Sequence, residues 1–225
     1  MRVHLESLEQ MRTFAAALAE HLRAGDLLIL TGNLGAGKTT FTQSLGKTLD
    51  VAGRITSPTF VIAREHPSRT GGPALVHVDA YRLADGEELE DLDLDSELDE
   101  SITVVEWGAG MAEQLSSDHL DITITPVWDE IAEGGKADGE PVGANDEDEP
   151  EDEPGDAPED EPEDAPEDEP EAERRTVDLT GRGAAWAERM PAVEAAVSAL
   201  AGVRVDDLSP ADLPAEDFAN EGDES

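Results

Sequence analysis

The sequence predicts an α/β domain built to hold a phosphate-bearing nucleotide, and three observations carry that reading. An apolar run, Leu27-Leu28-Ile29-Leu30, leads directly into Gly32-Asn33-Leu34-Gly35-Ala36-Gly37-Lys38-Thr39, and a helical stretch follows from Lys38 to Leu49. Two further apolar runs each end in a carboxylate, Ala74 to Asp79 and Ile102 to Glu106. Two late runs, Leu120 to Ile124 and Arg175 to Leu179, alternate apolar and polar residues, the pattern of strands with one wet face.

Strand, glycine loop and helix together cradle a nucleotide triphosphate, because the loop's backbone N–H groups and the helix N-terminus converge on phosphate oxygens. The loop spans Asn33, Leu34, Gly35, Ala36, Gly37, Lys38, Thr39 and Thr40. Lys38 is suited to reach the β- and γ-phosphates and the Thr39 hydroxyl to hold Mg²⁺.

The remaining elements follow in chain order. Ser7 to Leu22 reads as an amphipathic helix with Leu8, Met11, Phe14 or Ala15, Leu18 and Leu22 on one face. Ser7 and Gln10 form a capping box at its start, and Gly25 marks its stop. Phe60-Val61-Ile62 is a short strand signal, and Arg64 to Pro73 is a polar, Gly/Pro-rich loop. Glu87 to Glu100 is acidic with spaced leucines, a short helix and loops. Met111 to Leu115 is a short helix, and Ala184 to Leu200, with Trp186, Met190, Val193 and Val197, is a closing one.

Between the two alternating strands the composition breaks. The chain of 225 residues has a net charge of −40, and 18 acidic residues with no basic one fall between Asp146 and Glu173. A tandem octapeptide occupies Ala157 to Asp164 and Ala165 to Ala172. So few apolar residues cannot offset the entropy of ordering. The chain therefore divides into one domain over residues 1–205, a disordered acidic Pro/Glu/Asp repeat inserted over 134–174, and a disordered acidic tail over 206–225. The strands flanking the insert should pair antiparallel. A surface this acidic repels phosphate backbones, so any nucleic-acid role should run through a partner. There are no cysteines, no apolar signal core and no run long enough to span a membrane. These features point to a cytoplasmic protein.

Phosphoryl chemistry needs a second carboxylate near the metal and a group to position the attacking water. In open α/β sheets such groups stand at the C-terminal ends of strands, where Asp79 and Glu106 fall. Ser57 and Thr59, in Thr56-Ser57-Pro58-Thr59-Phe60, occupy the place of a nucleotide-sensing loop, though a proline turn explains them equally well. His77 reads as a packing histidine, Trp107 as core and Arg82 as a surface charge. There is no Asn-Lys-x-Asp motif for reading guanine and no Leu-Ser-Gly-Gly-Gln transporter signature.

Taken in order, Gly32 to Phe41, Ser57-Pro58-Thr59-Phe60, His77-Val78-Asp79-Ala80-Tyr81-Arg82-Leu83 and Val104-Val105-Glu106-Trp107 closely resemble the TsaE family, the ATPases of bacterial tRNA threonylcarbamoyladenosine biosynthesis. The resemblance covers roughly residues 5 to 130, and the strand and helix at 175–200 fit the family's end. It implies a single P-loop domain whose sheet is largely parallel with antiparallel edge strands, flanked by helices. It also implies ATP and Mg²⁺ at the loop, and TsaD and TsaB as partners that modify adenosine 37 of tRNAs reading codons that begin with A. In that family the ATPase does not perform the transfer; its nucleotide cycle resets the complex, and tRNA is met only through it. Carried over by position, Lys38 binds phosphate, Thr39 binds Mg²⁺, Asp79 and Glu106 are the metal or water-positioning acids, Ser57 and Thr59 lie in a switch-like segment, and Trp107 lines the nucleotide site. The family often has Tyr where this chain has His66, and Leu where it has Ala80. The long acidic repeat is no part of the family core.

The implied activity is a partner-dependent ATPase that is slow by itself, since no arginine finger is evident in cis; on its own the chain is expected to be monomeric. The alternative is a P-loop small-molecule kinase, which an acidic segment at 84–101 in place of an arginine-bearing lid disfavours. A third reading, a non-catalytic module with the repeat as an interaction tail, is separable from these by deleting residues 145–173.

Overall fold

A strand buried on both faces needs apolar residues at consecutive positions, and the run Leu27 to Leu30 occupies that place in the computed structural model. The structure describes residues 1–56, 63–83, 86–90, 92, 94, 98–127 and 174–208. In chain order these form β1 (Arg2–Leu5), α1 (Leu8–Ala19), β2 (Leu27–Thr31), α2 (Lys38–Thr48), β3 (Ala63–His66), β4 (Ala74–Asp79), α3 (Gly86–Glu90), β5 (Ser101–Glu106), β6 (His119–Val127), β7 (Arg174–Gly181), α4 (Gly183–Ser198) and β8 (Arg204–Asp206). Single 3₁₀ turns occupy Ala80–Arg82 and Ala112–Leu115.

Among the described residues eight strands form one sheet in the order β3-β4-β5-β2-β6-β7-β1-β8. The four central strands, β4, β5, β2 and β6, run parallel. β3 on one side and β7, β1 and β8 on the other are antiparallel. This is the largely parallel sheet with antiparallel edges that the resemblance implies.

Side-chain alternation divides the core in two. Leu28 and Leu30 of β2 join Ile102, Val104, Leu120, Ile122, Val177 and Leu179 under α1, α2 and α4. Leu27 and Ile29 point the other way, against Val76, Val78 and Val105, with Leu89, Leu94 and Leu98 over them. On α1 the buried residues are Met11, Phe14, Ala15, Leu18 and Ala19, the spacing of one helical stripe. Phe14 meets Phe41 of α2 with ring centroids 5.8 Å apart.

Helix α1 starts as the capping signal predicts, with Gln10 N donating to Ser7 Oγ at 3.2 Å. The return bond is displaced by one residue: Glu6 N donates to Gln10 Oε1 at 2.7 Å. The helix ends at Ala19, short of Leu22, and a turn carries the chain into β2.

Three readings need correction, and one strand stands where none is expected. β1 is a strand on the alternating run Arg2-Val3-His4-Leu5, too short a signal to stand alone; between β7 and β8 its Val3 and Leu5 are buried. Arg64 to His66 lie in β3 and not in a loop, because Arg64 and Glu65 are on an edge strand with their side chains in solvent. Arg174, at the end of the insert as drawn, is the first residue of β7 and pairs with Val127. Asp206, at the head of the tail as drawn, is in β8: Val203 and Val205 pack against the core, and His4 Nε2 lies 2.8 Å from Asp206 Oδ2. The strand signal at Phe60 to Ile62, the body of the insert and the tail beyond Leu208 lie outside the described residues.

Candidate functional site

The loop between β2 and α2 is pressed against the strands beside it, which is why its glycines are needed. Gly37, the N-cap of α2, has a left-handed φ of 101°. A Cβ there would come within 3.2 Å of Arg175 Nε, and one on Gly32 within 2.5 Å of the Ile124 carbonyl oxygen. The loop's carbonyls are tied down from outside and below. Ala36 N donates to Asn33 O at 3.1 Å. Lys38 Nζ donates to Gly32 O at 2.9 Å and to Asn33 O at 3.1 Å. Arg175 Nε donates to Ala36 O at 3.1 Å. With carbonyls held this way, the N–H groups of the first turn of α2 lack helical partners by position and are open to an anion. The Leu34 side chain is 92% exposed, so this residue could contribute to a phosphate cradle only through its backbone.

The carboxylates arrive on β5, next to β2, and on β4 beyond it. β4 and β5 are parallel and in register, so Asp79 stands opposite Glu106. Thr39 Oγ1 donates to Glu106 Oε1 at 3.0 Å and lies 3.2 Å from Oε2. His77, two residues back on β4, places Nε2 2.8 Å from Glu106 Oε1, and both side chains are buried. Asp79 Oδ1 accepts from Tyr81 N at 3.0 Å, capping the 3₁₀ turn.

Trp107 closes the group. Its φ of 62° is left-handed, unusual for a bulky residue and typical of places where surrounding structure holds a strained backbone. Its N–H continues the ladder to Leu30 O at 3.0 Å. The turn lays its ring against Lys38, whose Nζ is 3.9 Å from the ring centroid. Tyr81 tilts against Trp107 with ring centroids 5.2 Å apart. Burial pushes the Lys38 ammonium below the usual lysine range, opposed by the charges of Glu106 and Asp79.

The arrangement fits the two groups the sequence implies. Backbone donors and Lys38 suit a polyphosphate, and the tight glycine positions leave the backbone close enough to meet it. A magnesium ion favours hard oxygen ligands and is ordinarily held by one or two carboxylates together with substrate phosphates. Thr39 Oγ1 and the carboxylates of Glu106 and Asp79 are oxygens of that kind.

Lys38, Thr39, Asp79, Glu106 and Trp107 therefore meet at the C-terminal ends of β2, β4 and β5. Ser57 and Thr59 lie outside the described residues. Sequence reasoning missed two participants. His77 reads as packing alone, yet it bonds to Glu106. Arg175 carries no role in the sequence, yet it reaches the loop. Both had a signal: Arg175 is a polar residue at a buried position in line with Val177 and Leu179, and His77 is a buried polar residue between Leu75 and the candidate acid Asp79 on one face of β4.

A family model described as threonylcarbamoyl adenosine biosynthesis protein TsaE matches residues 5–131. A Streptomyces coelicolor protein named tRNA threonylcarbamoyladenosine biosynthesis protein TsaE is 60% identical over 115 residues, covering 51% of this chain and 78% of that protein. Proteins of the same name from Mycobacterium tuberculosis and Bacillus subtilis are 49% and 38% identical, covering 55% and 56% of this chain and 77% of each relative. In fold, the chain is similar to a crystal structure of Bacillus subtilis YdiB, with a TM-score of 0.57 at 21% identity over 87% of this chain and 94% of that one.

Proposed function

The chain belongs to the TsaE family, and we propose that it binds ATP with Mg²⁺ at the loop Gly32 to Thr39 and hydrolyses it slowly. The role follows the family: supporting threonylcarbamoyl transfer to adenosine 37 of tRNAs reading codons that begin with A, by resetting a TsaD–TsaB complex between turnovers. It does not perform the transfer itself. The observation that carries the reading is the bond from Thr39 Oγ1 to Glu106 at 3.0 Å, directly after the loop lysine. It joins the two oxygen donors that a nucleotide-bound metal requires, one on α2 and one on β5.

Each residue has a task in this reading. Lys38 balances phosphate charge, and its ammonium is held by Gly32 O, Asn33 O and the Trp107 ring. Thr39 and Glu106 hold the metal, which when bound neutralises charge on the β- and γ-phosphates. His77 fixes the Glu106 carboxylate from the buried side, leaving its other oxygen for metal or water. Asp79, which accepts from Tyr81 N and stands opposite Glu106 on the adjoining strand, would orient a water. The partner proteins would supply what raises the rate, and the acidic chain would meet tRNA only through them.

ATP turnover by the wild-type chain and by Lys38→Ala, each with and without TsaD and TsaB, tests this. The expected result is turnover that rises with the partners and falls at least 100-fold in Lys38→Ala. Turnover indifferent to the partners, or a soluble phosphorylated metabolite as product, would move the assignment to a kinase.

A further inference from the structure

We propose that Arg175 is a positioning residue for the phosphate loop, acting through the peptide between Ala36 and Gly37. This rests on the reading of that loop as an Mg-ATP site. Arg175 is only 5% exposed. It stands on β7 between Leu5 of β1 and Pro126 of β6 in the ladder, far along the chain from the loop and beyond the stretch that the family model matches.

Its Nε–H donates to Ala36 O at 3.1 Å, and its side chain packs where a Gly37 Cβ would be. A trans peptide is planar, so its carbonyl and the following N–H point in opposite directions. No cis bond occurs among the described residues. Holding the Ala36 carbonyl toward β7 therefore turns the Gly37 N–H away from it, toward the phosphate side of the loop. The peptide after Gly37 is already held, because Phe41 N donates to Gly37 O at 2.9 Å, but with no Cβ and a left-handed φ at Gly37 the peptide before it has few steric limits of its own. A buried arginine on an inward strand face, bonded to a loop carbonyl, is a costly way merely to fill space. It is an apt way to preset a backbone donor that binding would otherwise have to order.

The test uses the full chain with Mg-ATP and Mg-ADP titrated by calorimetry, alongside thermal unfolding without nucleotide. Arg175→Met should weaken both nucleotides by about the same factor, at least tenfold, because the Gly37 N–H faces phosphates common to both. Arg175→Lys keeps the charge and loses the Nε geometry, so it should recover less than half of that loss on a logarithmic scale. In Arg175→Lys the affinity should fall by more than the unfolding midpoint accounts for, a split that a role in packing alone would not produce. As a control, Asp178→Asn removes the Arg2 partner on the same strand (2.7 Å) and should lower the unfolding midpoint without changing affinity. Wild-type affinity in folded Arg175→Met or Arg175→Lys, with Lys38→Ala defective, overturns the role of Arg175 and leaves the nucleotide site standing. If Arg175→Met does not fold, Arg175→Lys decides alone. Absence of binding by the wild-type chain overturns the nucleotide reading itself, and the inference with it.

Discussion

At the scale of single residues, polar groups on the inner faces of apolar strands divide into those that serve the site and those that tune stability. Glu106 and His77 lie side by side under α2, each satisfied by the other, and Thr39 completes the set. His66 is the contrasting case. It is buried on β3; its Nδ1 is 3.1 Å from Ala52 O, and its Nε2 has no hydrogen-bond partner among the described residues. Burial pushes its pKa below the ordinary value near 6.5, with the charges of His77 and Arg64 acting in the same direction and the Ala52 carbonyl opposing. A folded-state pKa below the unfolded one means that the unfolded chain binds more protons in that window. The stabilising contribution is therefore present above about pH 6.5 and is lost as pH falls through the folded-state value. Urea midpoints measured from pH 7.5 to pH 5 should fall less steeply in His66→Gln than in the wild type. Equal slopes would show that His66 does not titrate differently on folding. A family tyrosine at this position would carry no such titration.

At the scale of elements, α4 is fastened to the start of β2 by a buried ion pair. Arg189 donates to both oxygens of Asp26, at 2.8 and 2.6 Å, and its guanidinium carbon lies 3.9 Å from the Trp186 ring centroid. Asp26 is almost fully buried, so it cannot recover water when its partner is removed. Breaking such a pair costs about 3–5 kcal/mol, whereas replacing both members by apolar residues is near neutral. Arg189→Met should therefore lose about that much in denaturant unfolding, and Asp26→Leu with Arg189→Met should regain most of it. A double variant no better than the single one would mean that packing of the arginine stem, and not an uncompensated charge, sets the cost. The pair is not legible in the sequence: 163 residues separate the partners, and neither sits in a recognisable pattern. The helices themselves are legible. The apolar stripe of α1 and its Ser7 cap are local features, and local features survive into the fold.

At the scale of the whole molecule, the acidic repeat is set between two strands that pair to their last residues, with Val127 opposite Arg174. The pairing does not depend on what joins it, and closing a shorter loop costs less entropy. Replacing residues 130–171 by an Asn-Gly turn should leave Mg-ATP binding unchanged and raise stability by about 2 kcal/mol on the loop-length term alone. Removing so many like charges from a chain of net charge −40 acts in the same direction, most visibly at low salt. A lower urea midpoint in the shortened chain would show that the repeat contributes to folding. Without such an effect, the repeat stands as an insert in the hairpin between β6 and β7.

Where a local pattern was long or specific enough, the sequence by itself was sufficient. Strand, glycine loop and helix must follow one another in the chain, so the loop and Lys38-Thr39 can be read directly. The consecutive apolar residues of β2 declare a strand covered on both faces, and the alternation of β6 and β7 declares strands covered on one. Ordering of strands across the sheet was left to the tertiary structure, and with it the polar partnerships. β5 comes to lie beside β2 and β4 beside β5, which brings Glu106 to Thr39 and His77 to Glu106. β7 reaches past β6, which brings Arg175 to Ala36. β1 and β8 become strands only because β7 offers an edge to β1, and β1 then offers one to β8. Periodicity reports which face of an element is buried; which distant side chain waits on that face depends on the packing of the whole chain.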